Sequence, residues 1–159
     1  MKVIAIDPGV SGGVAILTDI NIVTAYKMPA EMNHMYQLFK NNPSCPVVLE
    51  DVGFHIKGNS ASSSVKFGAH VERLKTYIEI TENPLVLVKA RKWQAPLNLT
   101  HGMGAKDKRD RKAQIKDLMA EKYPHIGRIT NYTADAIAIL DWYINRNPVE
   151  IFLENEGKK

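Results

Sequence analysis

The stretch Lys2-Val-Ile-Ala-Ile-Asp7 alternates loosely, is rich in β-branched residues, ends on a carboxylate and runs straight into Pro8-Gly9. Such a run reads as a β-strand and the Pro-Gly pair as the turn that stops it. Gly12–Leu17 is a second apolar run, and Ile20–Met28 a third, separated from it by a short turn containing Asp19. Three short strands in succession read as an antiparallel meander. Whatever else the chain does, it builds on a sheet that begins this way.

The rest of the chain supplies helices and two more strands. In residues 31–42, Met32, Met35, Leu38 and Phe39 recur at helical spacing and the pattern stops before Pro43. Residues 45–52, CPVVLEDV, form a fourth strand. Residues 53–64 are small and polar without a usable period and read as a loop of functional length. A helix is expected from about Ser63 to Glu79, with Val65, Ala69, Leu74 and Ile78 among its buried positions. Residues 84–90 form a fifth strand, 91–105 read as irregular, and 107–123 as a basic helix with Asp107 as its N-cap. A mostly apolar helix over 131–145 closes the fold. This order implies an α/β fold, a central mixed five-stranded sheet flanked by helices. At 159 residues one core is expected, in a single domain over 1–150 followed by a short polar tail at 151–159.

Composition excludes several classes. Hydrophobic residues at 45% and charged residues at 24% are ordinary for a globular chain. The lone Cys45 rules out an internal disulfide framework and fits a reducing compartment, with cytoplasm as the expectation. No apolar run approaches the roughly 18–20 residues of a membrane span, and no signal-peptide pattern opens the chain. Net charge is +4, unevenly placed: residues 89–122 hold ten Lys or Arg against four acids. A concentrated basic segment is the footprint of a polyanion binder, and a solvated helix face produces the same counts.

The acids narrow the choice. Strand side chains alternate, so Asp7 continues the row of Val3 and Ala5, and Glu50 shares a face with Val48 while Asp51 points the other way. Desolvating carboxylates at the ends of two apolar strands is costly unless a cation or hydrogen bonds compensate. A third acid, Asp135, sits in the otherwise apolar ADAIAIL. Helical spacing stacks Asn131 on Asp135 and rotates Asp141 away, which leaves Asp141 structural or solvated. Singly, each acid reads equally well as a turn cap or a satisfied polar group. Together, Asp7, Glu50 and Asp135 favour a metal site.

The ordered set of IAIDPGVSGGVAIL, VVLEDV with its Phe54-containing loop and SSSVKFGAH, the basic HGMGAKDKRDRK, and NYTADAIAIL resembles the RuvC Holliday junction resolvases, particularly their phage-encoded relatives. The resemblance runs from Met1 to about Tyr143. It implies the RNase H-like fold of the retroviral integrase superfamily and a metal-dependent endonuclease that resolves four-way or other branched DNA as a homodimer. For a phage-encoded protein the setting is the bacterial host cytoplasm. Asp7 resembles the family's first-strand acid, Glu50 its central-strand acid and Asp135 its last-helix metal ligand. Where phage relatives carry a further acid this chain has Asn131, and where cellular enzymes carry an acid or His it has Tyr132. Asn131 is either a natural neutral ligand or an Asp-to-Asn replacement.

The expected cofactor is a pair of Mg²⁺ ions, with Mn²⁺ able to substitute, because in-line phosphodiester hydrolysis needs an activated water and a stabilised leaving oxygen. Asp7 is expected to bridge both ions, Glu50 and Asp135 to complete one each, and Asn131 to add a weaker oxygen beside Asp135. Lys106, Lys108 and Arg109, at the start of the basic helix, are candidate phosphate contacts, and the resemblance adds Lys92. Phe54 and Lys57 fall in the loop that, in the family, resembles a branch-point insertion element. Trp93, Tyr132, Trp142 and Tyr143 read as core. No His has metal-ligand spacing; His55 and His101 are possible phosphate contacts. The helix from about Ser63 is the candidate dimer interface. Two other readings stay open: a junction-binding protein with little catalysis, motivated by Asn131, and a fragment of a nucleotide-binding ATPase, motivated by DPGVSGG. The second is disfavoured by a length too short for the two lobes such folds use.

Overall fold

The opening meander is present as expected. β1 (Val3–Asp7), β2 (Gly13–Leu17) and β3 (Val23–Lys27) pair antiparallel, with Asp7 opposite Gly13 and Gly13 opposite Lys27. The coordinates are a computed structural model that describes residues 1–18, 22–53, 60–99 and 105–145, with side chains omitted for 105–108. After α1 (Met32–Lys40), β4 (Val47–Glu50) lies parallel beside β1, and after α2 (Ala61–Ile80), β5 (Leu85–Val88) lies parallel beside β4. The sheet order is β3-β2-β1-β4-β5, mixed and five-stranded. α3 (Ala90–Gln94), a 3₁₀ turn at Ala95–Leu97, α4 (Ala105–Lys122), a second 3₁₀ turn at Pro124–Ile126 and α5 (Ala134–Ile144) complete the order.

Alternation in the strands divides the core in two. Val3, Ala5, Val48, Val86 and Val88 face α3, α4 and α5, joining Trp93, Ile115, Met119 and the apolar residues of α5. Ile4, Ile6, Val47 and Leu49 face α1 and α2, joining Met35, Phe39, Val71, Leu74 and Ile78. Strands covered on both faces need apolar residues at every position, and β4 is buried throughout. A row that continues the first set past Ala5 and Val48 therefore emerges under α5.

Several expectations are corrected. Helix α2 starts at Ala61, where the Ser60 hydroxyl accepts a hydrogen bond from the Ser63 N–H at 3.2 Å, so the end of the expected loop is helical. Val65 is 70% exposed and Ala69 is also exposed; the buried stripe is Gly68, Val71, Leu74 and Ile78. The irregular segment after β5 contains α3, which seats Trp93. Asp107 lies in the first turn of α4 rather than capping it, since the helix begins at Ala105. α5 begins at Ala134, so Asn131 and Tyr132 belong to a turn that precedes it. Tyr132 is 42% exposed with the Lys27 ammonium 4.7 Å from its ring centroid; it is not core. The expected tail at 151–159 lies outside the described residues. Among the described residues no helix is long and apolar enough to cross a membrane.

The turn before α5 is fixed from within and from below. The Thr130 N–H donates to the Thr133 hydroxyl at 3.0 Å, and the Thr133 and Ala134 N–H groups donate back to the Thr130 carbonyl. Beneath it, a Cβ on Gly13 would sit 2.2 Å from the Tyr132 carbonyl oxygen, so only glycine lets this turn settle on β2. Gly13→Ala is expected to lower stability in urea unfolding by about 1–3 kcal/mol. Gly53→Ala, where a Cβ meets nothing within 4 Å among the described residues, is expected to stay within about 0.5 kcal/mol.

Candidate metal centre

β1 and β4 are parallel neighbours in the register Ile6 to Leu49, so Asp7 and Glu50 are the next residues at the same end of the sheet. Both continue the row that faces α5. Asp135 lies in the first turn of α5, which packs on β1 and β2. The fold thus brings three acids, distant in sequence, to one end of one sheet face. Glu50 is 8% and Asp135 9% exposed, and Asp7 is half-buried.

Burial and mutual repulsion set the protonation of this group. Asp7 is pushed up to about 8, first by desolvation and then by the charges of Asp135 and Glu50. Glu50 is also raised, again chiefly by burial. The two carboxyls share a hydrogen bond in which the protonated Asp7 is the donor. Two other groups relieve the crowding. The Trp93 indole N–H donates to Glu50 Oε1 at 3.1 Å, favouring ionised Glu50. The Lys112 ammonium lies 3.3 Å from Asp135 Oδ2 and opposes the rise of both Asp7 and Glu50. Asp135 Oδ1 is buried without a hydrogen-bond partner among the described residues.

Among the described residues no three His, Cys, Asp or Glu side chains stand gathered as a group that could hold a metal ion. Asp7 is instead the hub of a looser set, bonded to Glu50 and repelled by Asp135. Its donor chemistry still fits a hard cation. The donors on offer are all carboxylate oxygens, one buried oxygen is unsatisfied among the described residues, and a raised Asp7 and the Lys112 ammonium partly offset the negative charge.

A groove of about 720 Å³ opens beside Asp7, lined by Pro8 to Gly12 on one side and by Ser63, Lys66, Phe67, His70 and Lys112 on the other. Gly9 stands at φ +108° in the turn that forms its wall, and a Cβ there would meet the Phe67 ring at 3.1 Å. A larger groove of about 990 Å³ lies elsewhere, between α3, α4 and α5, and contains none of the three acids. Of the two carboxylates that line it, Glu121 and Asp141, Asp141 accepts hydrogen bonds from Lys122, Tyr123 and Asn145, the structural one of the two roles expected for it.

The remaining candidates are dispersed. Asn131 is exposed in the turn before α5 and does not share a helix face with Asp135 as expected, because the helix starts three residues later. Lys92 is exposed on α3 beside the buried Trp93, and Arg109 is exposed on α4. Phe54, Lys57, His55 and His101 lie outside the described residues, as do the side chains of Lys106 and Lys108. Sequence reasoning missed two residues of the site. Lys112 falls three before Ile115 and seven before Met119, on the inward stripe of α4, and a lysine on an apolar stripe is a readable signal. Trp93 read correctly as core, but nothing in the sequence pairs it with Glu50.

The raised Asp7 gives a pH dependence with a definite sign. Folded protein holds a proton that the unfolded chain releases near pH 4, so stability without divalent cations falls as pH rises from about 4 to about 8. The slope attributable to Asp7 approaches about 1.4 kcal/mol per pH unit. Chemical denaturation in EDTA is expected to show this slope in the wild type and to show it reduced in Asp7→Asn, which gains most over the wild type at pH 8.

No protein-family model matches the chain, and no curated protein does. Solved structures do. The structure of Thermus thermophilus RuvC matches with a TM-score of 0.54 at 16% identity, over 91% of this chain and 95% of that one. RuvC from the same organism in complex with a Holliday junction substrate matches with a TM-score of 0.59 at 14% identity, over 91% and 94%. In its mixed five-stranded sheet and flanking helices, the chain has the RNase H-like fold of RuvC.

Proposed function

We propose that this protein is a metal-dependent, structure-selective endonuclease that cleaves four-way or other branched DNA by paired phosphodiester hydrolysis. The observation that carries this reading is the meeting of Asp7, Glu50 and Asp135 at one end of a RuvC-like sheet, beside a groove flanked by Lys66 and Lys112. Asp7, Glu50 and Asp135 would hold divalent cations, Mg²⁺ or Mn²⁺, with the Asn131 amide oxygen as a weaker donor. Such ions, when bound, polarise the scissile phosphate, activate water and stabilise the leaving oxygen.

The chain's own residues prepare that chemistry. β1 and β4 fix Asp7 and Glu50 on rigid backbone, and the Trp93 indole N–H orients Glu50 and opposes the rise that burial imposes on it. Lys66, Lys112, Lys92 and Arg109 supply positive charge for the phosphates, with Lys106 and Lys108 in the same basic segment. Phe54 and Lys57 follow Glu50 closely enough in sequence to reach a branch point. A homodimer suits a substrate with two equivalent strands, and exposed Val65 and Ile80 on α2 support pairing through that helix. An alternative, a junction-binding protein with little catalysis, draws on the exposed amide of Asn131 where the family carries an acid.

The test is nicking of a labelled four-way junction by wild type, Asn131→Asp and Glu50→Gln, in Mg²⁺ and in Mn²⁺, beside a linear duplex. The reading expects metal-dependent, symmetric nicks in the junction only, and a loss of at least about 100-fold in Glu50→Gln. Nicking by Asn131→Asp but not by the wild type would identify an inactive resolvase. Tight junction binding without nicking by either would establish the binding-protein alternative. Cleavage unaffected by chelators would contradict the metal mechanism.

A further inference from the structure

The charge balance at the sheet end is unusual in one respect. Among the described residues, three buried or half-buried carboxylates have one ammonium in ion-pair contact, that of Lys112 on Asp135, the acid with an unsatisfied oxygen. Lys112 reaches it from α4, on the inward stripe that also buries Ile115 and Met119, while its side chain stays 46% exposed. It also borders the groove beside Asp7. The backbone of this lysine is held by α4, and its partly exposed ammonium can exchange Asp135 for solvent or groove.

We propose that Lys112 is the internal counter-ion of the metal-free site, occupying Asp135 Oδ2, which a divalent cation would also claim, so that metal binding displaces its ammonium. The inference rests on the metal-site reading of Asp7, Glu50 and Asp135. A second ion pair on the same two helices shows what a permanent bond looks like. Lys122 contacts both oxygens of Asp141, at 2.8 and 2.9 Å, and Tyr123 and Asn145 complete that carboxylate. Lys112 makes one longer contact to Asp135, and among the described residues no side chain bonds its other oxygen. The first arrangement is closed, and the second leaves room for an exchange of cations.

Removing the ammonium should make the site harder to hold together without metal and easier to load with it. Competition for the same oxygens is reciprocal, so a displaced lysine lowers metal affinity by the strength of its own contact. The experiment follows thermal unfolding of the whole chain against Mg²⁺ concentration, without DNA, for wild type, Lys112→Met and Lys66→Met. Lys66 lines the same groove and serves as the control for general field effects. The expected result is a Mg²⁺ midpoint about tenfold lower in Lys112→Met, with a lower unfolding temperature in EDTA, and a midpoint within about twofold of wild type in Lys66→Met.

A second readout uses the wild type alone: acetylation of lysines by an NHS ester, quantified per residue by mass spectrometry. Labelling of Lys112 should rise several-fold on adding Mg²⁺ while that of Lys66 does not. Equal midpoints in wild type and Lys112→Met, equal shifts in both lysine variants, or unchanged labelling of Lys112 would overturn the inference. If Lys112→Met does not fold, the labelling result decides. A wild type that takes up neither Mg²⁺ nor Mn²⁺ overturns the metal reading and this inference together. A wild type that binds Mg²⁺ with Lys112→Met unchanged overturns this inference alone.

Discussion

Repulsion among three carboxylates at one end of a sheet is the constraint on which the rest of this structure depends. Asp7, Glu50 and Asp135 are drawn out of water by the same strands and helix that build the core, and none of them can escape the others. Like charges so placed are stabilised by protonation, by hydrogen-bond donors or by cations. The metal-free protein uses all three, in the Asp7 proton, the Trp93 indole and the Lys112 ammonium. Each comes from a different element, so β1, α3 and α4 are all tied to the condition of the site.

α5 makes the point by internal contrast. It carries two buried acids in an otherwise apolar sequence. Asp141 is surrounded by a lysine, a tyrosine and an asparagine and is fully satisfied. Asp135, less than two turns earlier, has one long ion pair and one oxygen with no partner. Had burial of charge been an accident of packing, both would show the same degree of compensation. The difference separates a carboxylate whose oxygens are both paired from one with an oxygen left over among the described residues, and the adjoining turn reinforces it. Gly13 lets residues 130–133 lie directly on β2, which fixes where α5 begins and so where Asp135 points.

Much of this was legible from local rules. The period of two placed Asp7 with Val3 and Ala5, and Glu50 with Val48, and the structure puts both rows under α5. Helical rotation separated Asp135 from Asp141 correctly. Helix boundaries were less legible. Asn131 was expected to stack on Asp135, but threonine side chains bond the backbone locally and hold residues 130–133 in a turn, which delays the helix. In α2 the apolar positions do not mark one face cleanly, and Val65 and Ala69 lie outside the stripe that tertiary packing selects. Trp93 and Lys112 join the site through contacts spanning 43 and 23 positions of sequence to Glu50 and Asp135, and no local pattern encodes such pairings.

The account stands or falls on whether this carboxylate group takes a divalent cation. Crystals soaked in Mn²⁺ and measured for anomalous scattering address that directly. The account predicts Mn²⁺ density in contact with the Asp7 carboxylate, between Glu50 and Asp135, with the Lys112 ammonium moved off Asp135. Anomalous density only at surface sites, with Asp7 still hydrogen-bonded to Glu50 and Lys112 still on Asp135, would contradict it.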